Sequence, residues 1–362
     1  MLASYITKLT SHSTRQHIIE TATRLGFHKV GFCNPGPTGA KKNMQEWINN
    51  GFYADMEWIK RTLSERSDCC LLWPEVRSLI IVALNYYPGE VKENPFFRFG
   101  RVARYAWGLD YHSTIKARLK RLAEAVQNII PGSACRAYCD DGPVAEKLWA
   151  AKAGVGWIGK HSLLITPEFG SWVVLGVLMI NRTIEPDFPV ADQCGSCQLC
   201  MDHCPSKAIV RPYLVDARRC LSYWTIEKKG ELSLGQGSLM DSWIFGCDLC
   251  QEICPHNRAA IRTTEKDFQP IADKFLNPRE LLYWTEDQYL NFFKGNSLAR
   301  IGRIRLLRNI IMAMGSSHNP EFISFLYQAI HDGEILVRKH AGYALSCLNQ
   351  DDRETVNSGD AL

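Results

Sequence analysis

The chain of 362 residues lacks any apolar run that approaches the ~18 residues needed to cross a membrane. Its start, Met1 to Arg15, is polar and has neither an apolar signal core nor a twin-arginine leader. Net charge is only +4, which points to no class of partner by itself. We therefore expect a protein of the cytoplasm with no membrane partner, in a compartment that keeps thiols reduced.

Cysteine, in contrast, is abundant. Of the 14 cysteines, eight lie between positions 194 and 254. The first four form C-x2-C-x2-C-x3-C and are followed by Pro205, which is the bacterial ferredoxin pattern. The others resemble the same motif with one ligand displaced upstream, and Pro255 follows the last of them. In such pairs of motifs the fourth cysteine of each run ligates the other cluster.

This exchange rule predicts two groups of four ligands. The first cysteine set comprises Cys194, Cys197, Cys200 and Cys254. The second cysteine set comprises Cys204, Cys220, Cys247 and Cys250. Zinc also uses C-x2-C pairs, but a zinc ribbon does not explain a third cysteine followed by x3-C-P. A disulfide framework does not fit cysteines bunched in the middle of a long chain. The pattern therefore favours two [4Fe-4S] clusters that move single electrons at low potential.

The length suggests two or three domains, and the pattern predicts an α+β protein with three regions. Residues 1–185 alternate apolar strands, such as Ser78 to Leu84 and Trp172 to Ile180, with helices, such as Tyr111 to Ile129. They predict an α/β domain with a mixed sheet covered by helices. Residues 186–262 form the ferredoxin-like two-cluster domain, and residues 263–362 a helical region.

The C-terminal region contains a weak internal repeat. Arg308, Ile311 and Met314 recur thirty residues later as Arg338, Ala341 and Ala344, as in HEAT repeats, although one helical hairpin would explain the pattern equally well. Basic residues concentrate here, and we single out Arg303, Arg305 and Arg308. They form either a solvated helix face or a phosphate-binding surface for RNA.

Three further motifs could have a structural or a chemical role. The G-x-G-x-x-G at Gly154 to Gly159 follows a predicted helix, which favours a close-packed turn over a dinucleotide site. Asp110-Tyr-His112 begins like the D-x-H-x-x-G cobalt motif but has Ile115 in place of glycine. Asp140 and Asp141 follow a predicted strand, so they either cap a turn or include a carboxyl with a raised pKa that donates a proton.

Taken together, these stretches resemble the epoxyqueuosine reductase family over about residues 10 to 350. The resemblance is carried by Ala103-Arg-Tyr-Ala-Trp-Gly108 with Asp110-Tyr111-His112, Asp140 to Glu146, Ala153 to Lys160, Thr166-Pro-Glu-Phe-Gly170, Arg219-Cys220-Leu-Ser222 and Gly246-Cys247-Asp-Leu-Cys250. It implies cobalamin beside the two clusters and reduction of epoxyqueuosine to queuosine at the wobble position of tRNA. It also implies an unidentified low-potential electron donor, and we expect a monomer.

The resemblance also assigns residues. The proton donor of the family maps onto Asp140, with Asp141 as a rival because small residues are usual beside that aspartate. Cobalamin contacts map onto Arg66, Ala103, Asp140, Leu164 and Ser222, and the basic helical region would hold the anticodon stem. Two alternatives are a cobalamin-dependent reductive dehalogenase and a two-cluster electron carrier. The dehalogenases normally carry an export leader, and a bare carrier would not need the long N-terminal domain.

Overall fold

The computed structural model describes residues 2–89, 100–270 and 277–357. Residues 1 and 90–99 of the predicted N-terminal region 1–185 lie outside the described residues, as do residues 271–276 and 358–362 of the predicted C-terminal region 263–362. The helices are α1 (Leu2–Arg24), α2 (Lys41–Asn49), α3 (Glu57–Arg61), α4 (Leu63–Ser67), α5 (Cys69–Leu72), α6 (Tyr111–Ile129), α7 (Glu146–Lys152), α8 (Leu199–Asp202), α9 (Leu221–Ile226), α10 (Leu234–Met240), α11 (Leu249–Glu252), α12 (Pro278–Leu281), α13 (Glu286–Phe292), α14 (Gly302–Ser316), α15 (Ile323–Ala329) and α16 (Ile335–Asn357). The strands are β1 (Lys29–Cys33), β2 (Ser78–Asn85), β3 (Arg101–Val102), β4 (Cys135–Tyr138), β5 (Trp157–Ile158), β6 (Leu164–Ile165), β7 (Val173–Ile180), β8 (Ile209–Arg211), β9 (Leu214–Val215) and β10 (Trp243–Phe245). Within the described part of the chain, no helix is long and apolar enough to span a bilayer.

The central sheet has four strands in the order β1-β2-β7-β4. Every neighbouring pair in it is antiparallel, so the prediction of a mixed sheet was wrong. The prediction rested on continuous apolar runs, which are typical of strands covered on both faces. Here β2 is buried along its whole length because helices cover both faces of an antiparallel sheet.

Side chains of β2 alternate between the two faces of the sheet. Ile80, Val82 and Leu84 pack in one cluster with apolar side chains of α1 and α6. The intervening side chains pack on the other face with Trp149 of α7 in a second cluster. Each such fully buried aliphatic side chain stabilises the fold by roughly 1.5–3 kcal/mol. The sheet therefore fixes α6 and α7 on opposite faces, and both helices lead into the candidate site.

The turn after α7 confirms the close-packed interpretation of G-x-G-x-x-G. A helix precedes it, and Gly154 has a φ of +67°, which favours glycine. A Cβ on Gly156 would lie 2.1 Å from the carbonyl oxygen of Ile165. The glycines thus let the β5–β6 hairpin, which carries Leu164, fold tightly back toward the sheet.

The C-terminal helices are locked to the cysteine-rich segment. The two halves of the predicted repeat fall on α14 and α16, which pack so closely that a Cβ on Gly315 would lie 2.7 Å from Cα of Ala344. Val102 of β3 and Phe245 of β10 belong to the same apolar cluster as these helices. β10 also pairs with β3 in parallel. One apolar cluster therefore contains residues of all three predicted regions.

Candidate redox site

A cavity of about 440 Å³ lies where the sheet, the β5–β6 hairpin and the cysteine-rich segment meet. Ala103, Leu164 and Ser222, which the sequence assigned to cobalamin, all contribute to its wall. Much of the wall is apolar, with Val173, Val174 and Leu175 among its residues. Such a concave apolar surface with a few polar groups is the usual form of a cofactor site.

The two predicted cysteine sets come together separately in space. All four members of the second cysteine set line this cavity. All four members of the first cysteine set line a smaller neighbouring pocket, although Cys254 is distant from the other three in sequence. None of the cysteines in the described residues forms a disulfide. The geometry is therefore compatible with the predicted exchange of ligands, and the assignment of each thiolate to a cluster stays a prediction.

The thiols are held in surroundings that disfavour their charged form. Burial raises the pKa of Cys200 to about 11, and neighbouring thiols of the same set act in the same direction. Burial also raises the pKa of Cys250 well above its usual range, with Cys247 and Cys220 adding to the effect. Four crowded thiols of this kind become stable thiolates when a cationic metal centre binds between them. The donor set thus fits iron–sulfur clusters.

A buried histidine provides an independent test of this fit. His161 is 4% exposed and lies in the wall of both the cavity and the neighbouring pocket. Its Nδ1 accepts a hydrogen bond from the Leu163 N–H at 3.1 Å, so its proton is on Nε2. Among the described residues, that Nε2 has no hydrogen-bond partner, as is true of several other buried side-chain atoms. This one lies where the sulfurs of a bound cluster or a polar group of a cofactor would satisfy it.

The two sets differ in their access to solvent. Cys194 and Cys197 are partly exposed, and Gly195, Ser196 and Leu199 around them are exposed. The Lys160 ammonium donates to the carbonyl oxygens of Gly195 and Cys197 and thereby fixes this loop. The first cysteine set therefore lies under an exposed loop, with its other two members buried, whereas all four members of the second set are partly exposed and face the cavity.

Asp140 stands near the mouth of the cavity. It follows β4 and has a left-handed φ of +54°. The Tyr111 hydroxyl, from the first turn of α6, donates to Oδ2 of Asp140 at 2.6 Å, and Tyr111 itself lines the cavity. The carboxyl side chain remains 63% exposed. Asp140 is thus accessible to a substrate and tied to the cavity wall through one side chain.

The carboxylate of Asp141, the alternative proton donor, is bound by other protein groups. The Lys116 ammonium lies 2.7 Å from its Oδ2, and the Cys139 N–H donates to its Oδ1 at 2.9 Å. Partial burial acts to raise the pKa of Asp141, but these two partners outweigh it and hold that pKa below its usual range. A carboxyl stabilised as its anion is a poor proton donor. The geometry favours Asp140 over Asp141.

Glu146 is an acidic residue at this site to which the sequence analysis gave no role. Desolvation raises the pKa of Glu146 to about 7, and the nearby carboxylate of Asp140 acts in the same direction. Its Oε1 accepts a hydrogen bond from the backbone N–H of Asp140 at 3.0 Å. The only sequence signal was that Glu146 closes the Asp140 stretch of the family resemblance.

Arg66 lies beside the same loop and is absent from the cavity wall. Its guanidinium donates to the carbonyl oxygens of Val144 and Gly142, both at 3.2 Å. The same group stacks on Trp58, 4.8 Å from the ring centroid. In this structure, therefore, Arg66 contacts the loop that carries Asp140, and its assignment to cobalamin stays a prediction.

His112 is engaged by protein groups. Its Nδ1 lies 2.8 Å from Oδ1 of Asp110, and Nη1 of Arg300 lies 3.1 Å from its Nε2. This arrangement engages both ring nitrogens of His112. It also brings the exposed Arg300 to the neighbourhood of Asp140.

The three arginines predicted to contact RNA point into the protein. Arg308 is fully buried and donates to the carbonyl oxygens of Trp224, Lys228 and Gly230, so its prediction as a surface residue was wrong. Arg305 donates to three carbonyl oxygens, including that of Ile226. The Arg303 side chain is largely buried and pairs with Asp332 at 3.7 Å. These side chains join α14 to its neighbours: Arg305 and Arg308 bond α9 and the residues after it, whereas Arg303 bonds the end of α12 and Asp332.

Comparison with known proteins agrees with this architecture. Residues 193–257 match the model of the 4Fe-4S double cluster binding domain, and residues 66–141 match the model described as Epoxyqueuosine reductase QueG, DUF1730. The chain therefore contains a double-cluster domain in the predicted region.

Curated relatives match along most of their length. The epoxyqueuosine reductase of Atelocyanobacterium thalassa (isolate ALOHA) is 41% identical, over 80% of this chain and 95% of that protein. That of Escherichia coli (strain K12) is 38% identical, over 91% of this chain and 88% of that protein.

Solved structures are similar in fold. An epoxyqueuosine reductase with a tRNA-Tyr epoxyqueuosine-modified stem loop has a TM-score of 0.86 and 27% identity, covering 93% of this chain and 91% of that one. A Bacillus subtilis epoxyqueuosine reductase, in which an aspartate-bearing catalytic loop is swung out of the active site, has a TM-score of 0.84, 27% identity and the same coverage. On these matches, the chain belongs to the epoxyqueuosine reductase family.

Proposed function

We propose that this chain reduces epoxyqueuosine in tRNA to queuosine, with Asp140 as the proton donor, a corrinoid in the cavity and two [4Fe-4S] clusters on the two cysteine sets. The observation that carries the proposal is the convergence of Asp140, the cavity and the second cysteine set. Two electrons and two protons convert the epoxide into an alkene and water. Both carbon–oxygen bonds break, and the oxygen leaves as water.

The cavity has the chemistry that a corrinoid requires. Apolar side chains such as Leu164 and Val174 can pack against a flat macrocycle, while Ser222 and Lys147 offer polar groups to its amides. When bound, a corrinoid supplies a strongly reducing cobalt centre, which neither side chains nor clusters provide alone. The protein would exclude water and orient the substrate against that centre.

The positions of the cysteine sets suggest a direction for electrons. The first set lies under an exposed loop, where an electron donor can approach, and the second set lies in the cavity wall. Low-potential [4Fe-4S] clusters at these positions would deliver single electrons from the surface to the cavity.

Asp140 is suited to protonate the oxygen that leaves. Its exposed carboxyl lies beside the cavity, and its link to Tyr111 fixes its direction. General acid catalysis of this kind typically contributes about 10²–10⁴-fold to the rate. The modified base would be turned out of the single-stranded anticodon loop, as in most specific recognition of RNA. Arg300 is an exposed cation that contacts His112 near this entrance and would contact a phosphate of the loop.

The test compares two neighbouring carboxyl groups. The anaerobically purified protein, supplied with cobalamin and a strong chemical reductant, is given tRNA that contains epoxyqueuosine, and nucleosides are measured by mass spectrometry. Asp140→Asn should reduce turnover at least about 100-fold with cobalamin and iron content unchanged. Asp141→Asn, the matched control, should stay within a few-fold of the unmodified protein. Retained turnover in Asp140→Asn would reassign the acid, and no queuosine from the unmodified protein would refute the function.

A further inference from the structure

The loop of residues 140–145 carries Asp140 in a conformation that must be held in place. It connects β4 with α7, and its first residue has a left-handed backbone at φ +54°. For a residue with a side chain, this region costs about 1–2 kcal/mol relative to the right-handed one. An exposed loop does not keep such a conformation without contacts that compensate for this cost.

Two side chains outside the loop contact its backbone. The carboxylate of Glu146 accepts the backbone N–H of Asp140 at 3.0 Å, which is the amide of the strained residue itself. The Arg66 guanidinium bridges two carbonyl oxygens further along the loop, those of Gly142 and Val144. One group thus holds the start of the loop, and the other holds its middle and end.

Arg66 is itself firmly placed. Its Nε donates to Oγ1 of Thr62 at 3.0 Å, and Trp58 stacks on its guanidinium. Thr62 and Trp58 lie in the segment of α3 and α4, which is remote from the loop in sequence. Arg66 therefore ties the loop to a separate part of the fold, so its two donors reach the loop in a fixed direction.

The position of the Asp140 carboxyl depends on this arrangement. In this conformation of the loop, the Tyr111 hydroxyl in the cavity wall donates to Oδ2 of Asp140 at 2.6 Å. We propose that Glu146 and Arg66 are positioning residues that hold the 140–145 loop closed, so that Asp140 meets Tyr111 and the substrate. The inference rests on the proposed function, since it concerns the acid of that reaction.

The hydrogen bond from the Asp140 N–H to Glu146 does not depend on the charge of Glu146. The charged groups that face it are Arg66, Asp140 and Lys147. Desolvation raises the pKa of Glu146 to about 7, so both of its forms are present near neutral pH. Either form keeps an oxygen that can accept the Asp140 N–H. A glutamine has the same acceptor in the same place. Glutamine at this position should therefore preserve the loop, whereas alanine should release it.

Comparison of the glutamine and alanine variants distinguishes positioning of the loop by Glu146 from proton donation by Glu146. If Glu146 itself were the acid, glutamine would be as damaging as alanine, because an amide does not donate the required proton. If Glu146 only positions the loop, glutamine restores turnover. Arg66→Met should act like Glu146→Ala, because methionine keeps much of the apolar stem and lacks the donors.

The experiment combines turnover with hydrogen–deuterium exchange of the holoprotein. The variants are Glu146→Ala, Glu146→Gln and Arg66→Met. Arg136→Met is the matched control for Arg66, since Arg136 also stacks on a tryptophan, Trp73, and bonds a carbonyl oxygen without touching the loop. Glu168→Ala is the control for Glu146, since Glu168 has an exposed ion pair elsewhere.

We expect Glu146→Ala and Arg66→Met to lower kcat about tenfold or more, with KM for tRNA nearly unchanged. Exchange of the amides of residues 139–146 should rise about tenfold in the same two variants, and protection of β2 and β7 should stay as in the unmodified protein. Glu146→Gln and both controls should behave as the unmodified protein does.

Two results would overturn the inference. Unchanged loop exchange in Glu146→Ala and Arg66→Met would show that other contacts hold the loop. Loss of turnover in Glu146→Gln with normal loop exchange would make Glu146 an acid rather than a positioning residue. Failure of the proposed function would be distinguishable from failure of this inference. It would appear as no turnover in the unmodified protein, whereas hydrogen–deuterium exchange of the variants would still test the loop.

Discussion

Replacement of Arg308 by alanine tests whether the arginines of α14 serve the fold rather than RNA. The guanidinium of Arg308 is fully buried between α14 and the segment after α9. It donates to the carbonyl oxygens of Trp224, Lys228 and Gly230 at 2.6–2.8 Å and to Oδ1 of Asn309. Alanine would leave all four acceptors without this donor.

The expected magnitude follows from the hydrogen bonds that alanine removes. A hydrogen bond to a charged group contributes about 1.5–3 kcal/mol net, so four acceptors represent about 6 kcal/mol or more. Burial lowers the pKa of Arg308 to about 10. The net hydrogen-bond values already include this desolvation, and bonds made by one side chain are not additive, so the sum is an upper bound. We therefore expect Arg308→Ala to lower the free energy of unfolding by about 3 kcal/mol, toward the upper end of single substitutions.

The assay is anaerobic denaturant unfolding of the cluster-loaded protein, followed by tRNA binding under conditions where the variant is folded. Arg338→Ala is the matched control, because Arg338 occupies the same place in the repeat and bonds two carbonyl oxygens, yet is exposed. Its effect should stay below about 1 kcal/mol. An unchanged unfolding midpoint in Arg308→Ala, together with weaker tRNA binding, would refute the structural role.

Two further predictions concern the clusters and the RNA. Cys254→Ser should halve the bound iron and remove the electron paramagnetic resonance signal of the cluster near the surface, and Cys204→Ser should remove that of the cluster at the cavity. The opposite pattern, in which Cys254→Ser loses the cavity signal and Cys204→Ser loses the surface signal, would contradict the exchanged wiring. Arg300→Glu should weaken tRNA binding and reduce its salt slope by about 1, measured between low and moderate salt. Arg303→Glu should mainly lower stability, because Arg303 is bound to protein groups. An equal loss of salt slope in Arg303→Glu would count against a specific contact of Arg300 with RNA.

The local patterns were predicted well where one dominant signal governed them. The helix from Tyr111 to Ile129 has the bounds that its apolar spacing indicated, because Ile115 and Leu119 face the sheet at helical intervals. The turn at Gly154 was predicted because a helix precedes it. The antiparallel sheet was missed, since burial on both faces gives the same apolar run whichever way the neighbouring strand runs.

The site was predicted unevenly for a physical reason. Ala103, Leu164 and Ser222 were expected at a cofactor and line the cavity, although their contacts to cobalamin stay predictions. Arg66 and Glu146 hold the loop of Asp140 through backbone atoms, and such contacts leave no trace in residue type or spacing. Their discovery required the distances themselves.

The sequence alone determined the double-cluster domain, the family and the choice of Asp140 as the candidate acid. Cluster ligation requires thiolates at short fixed spacings, so the order of the residues is enough to predict it. The tertiary structure decided which cysteine set faces the cavity, that Asp141 is bound by Lys116, and that Arg308 is buried. Those properties depend on which faces of distant elements meet, because burial and partnership arise only when segments remote in sequence pack together.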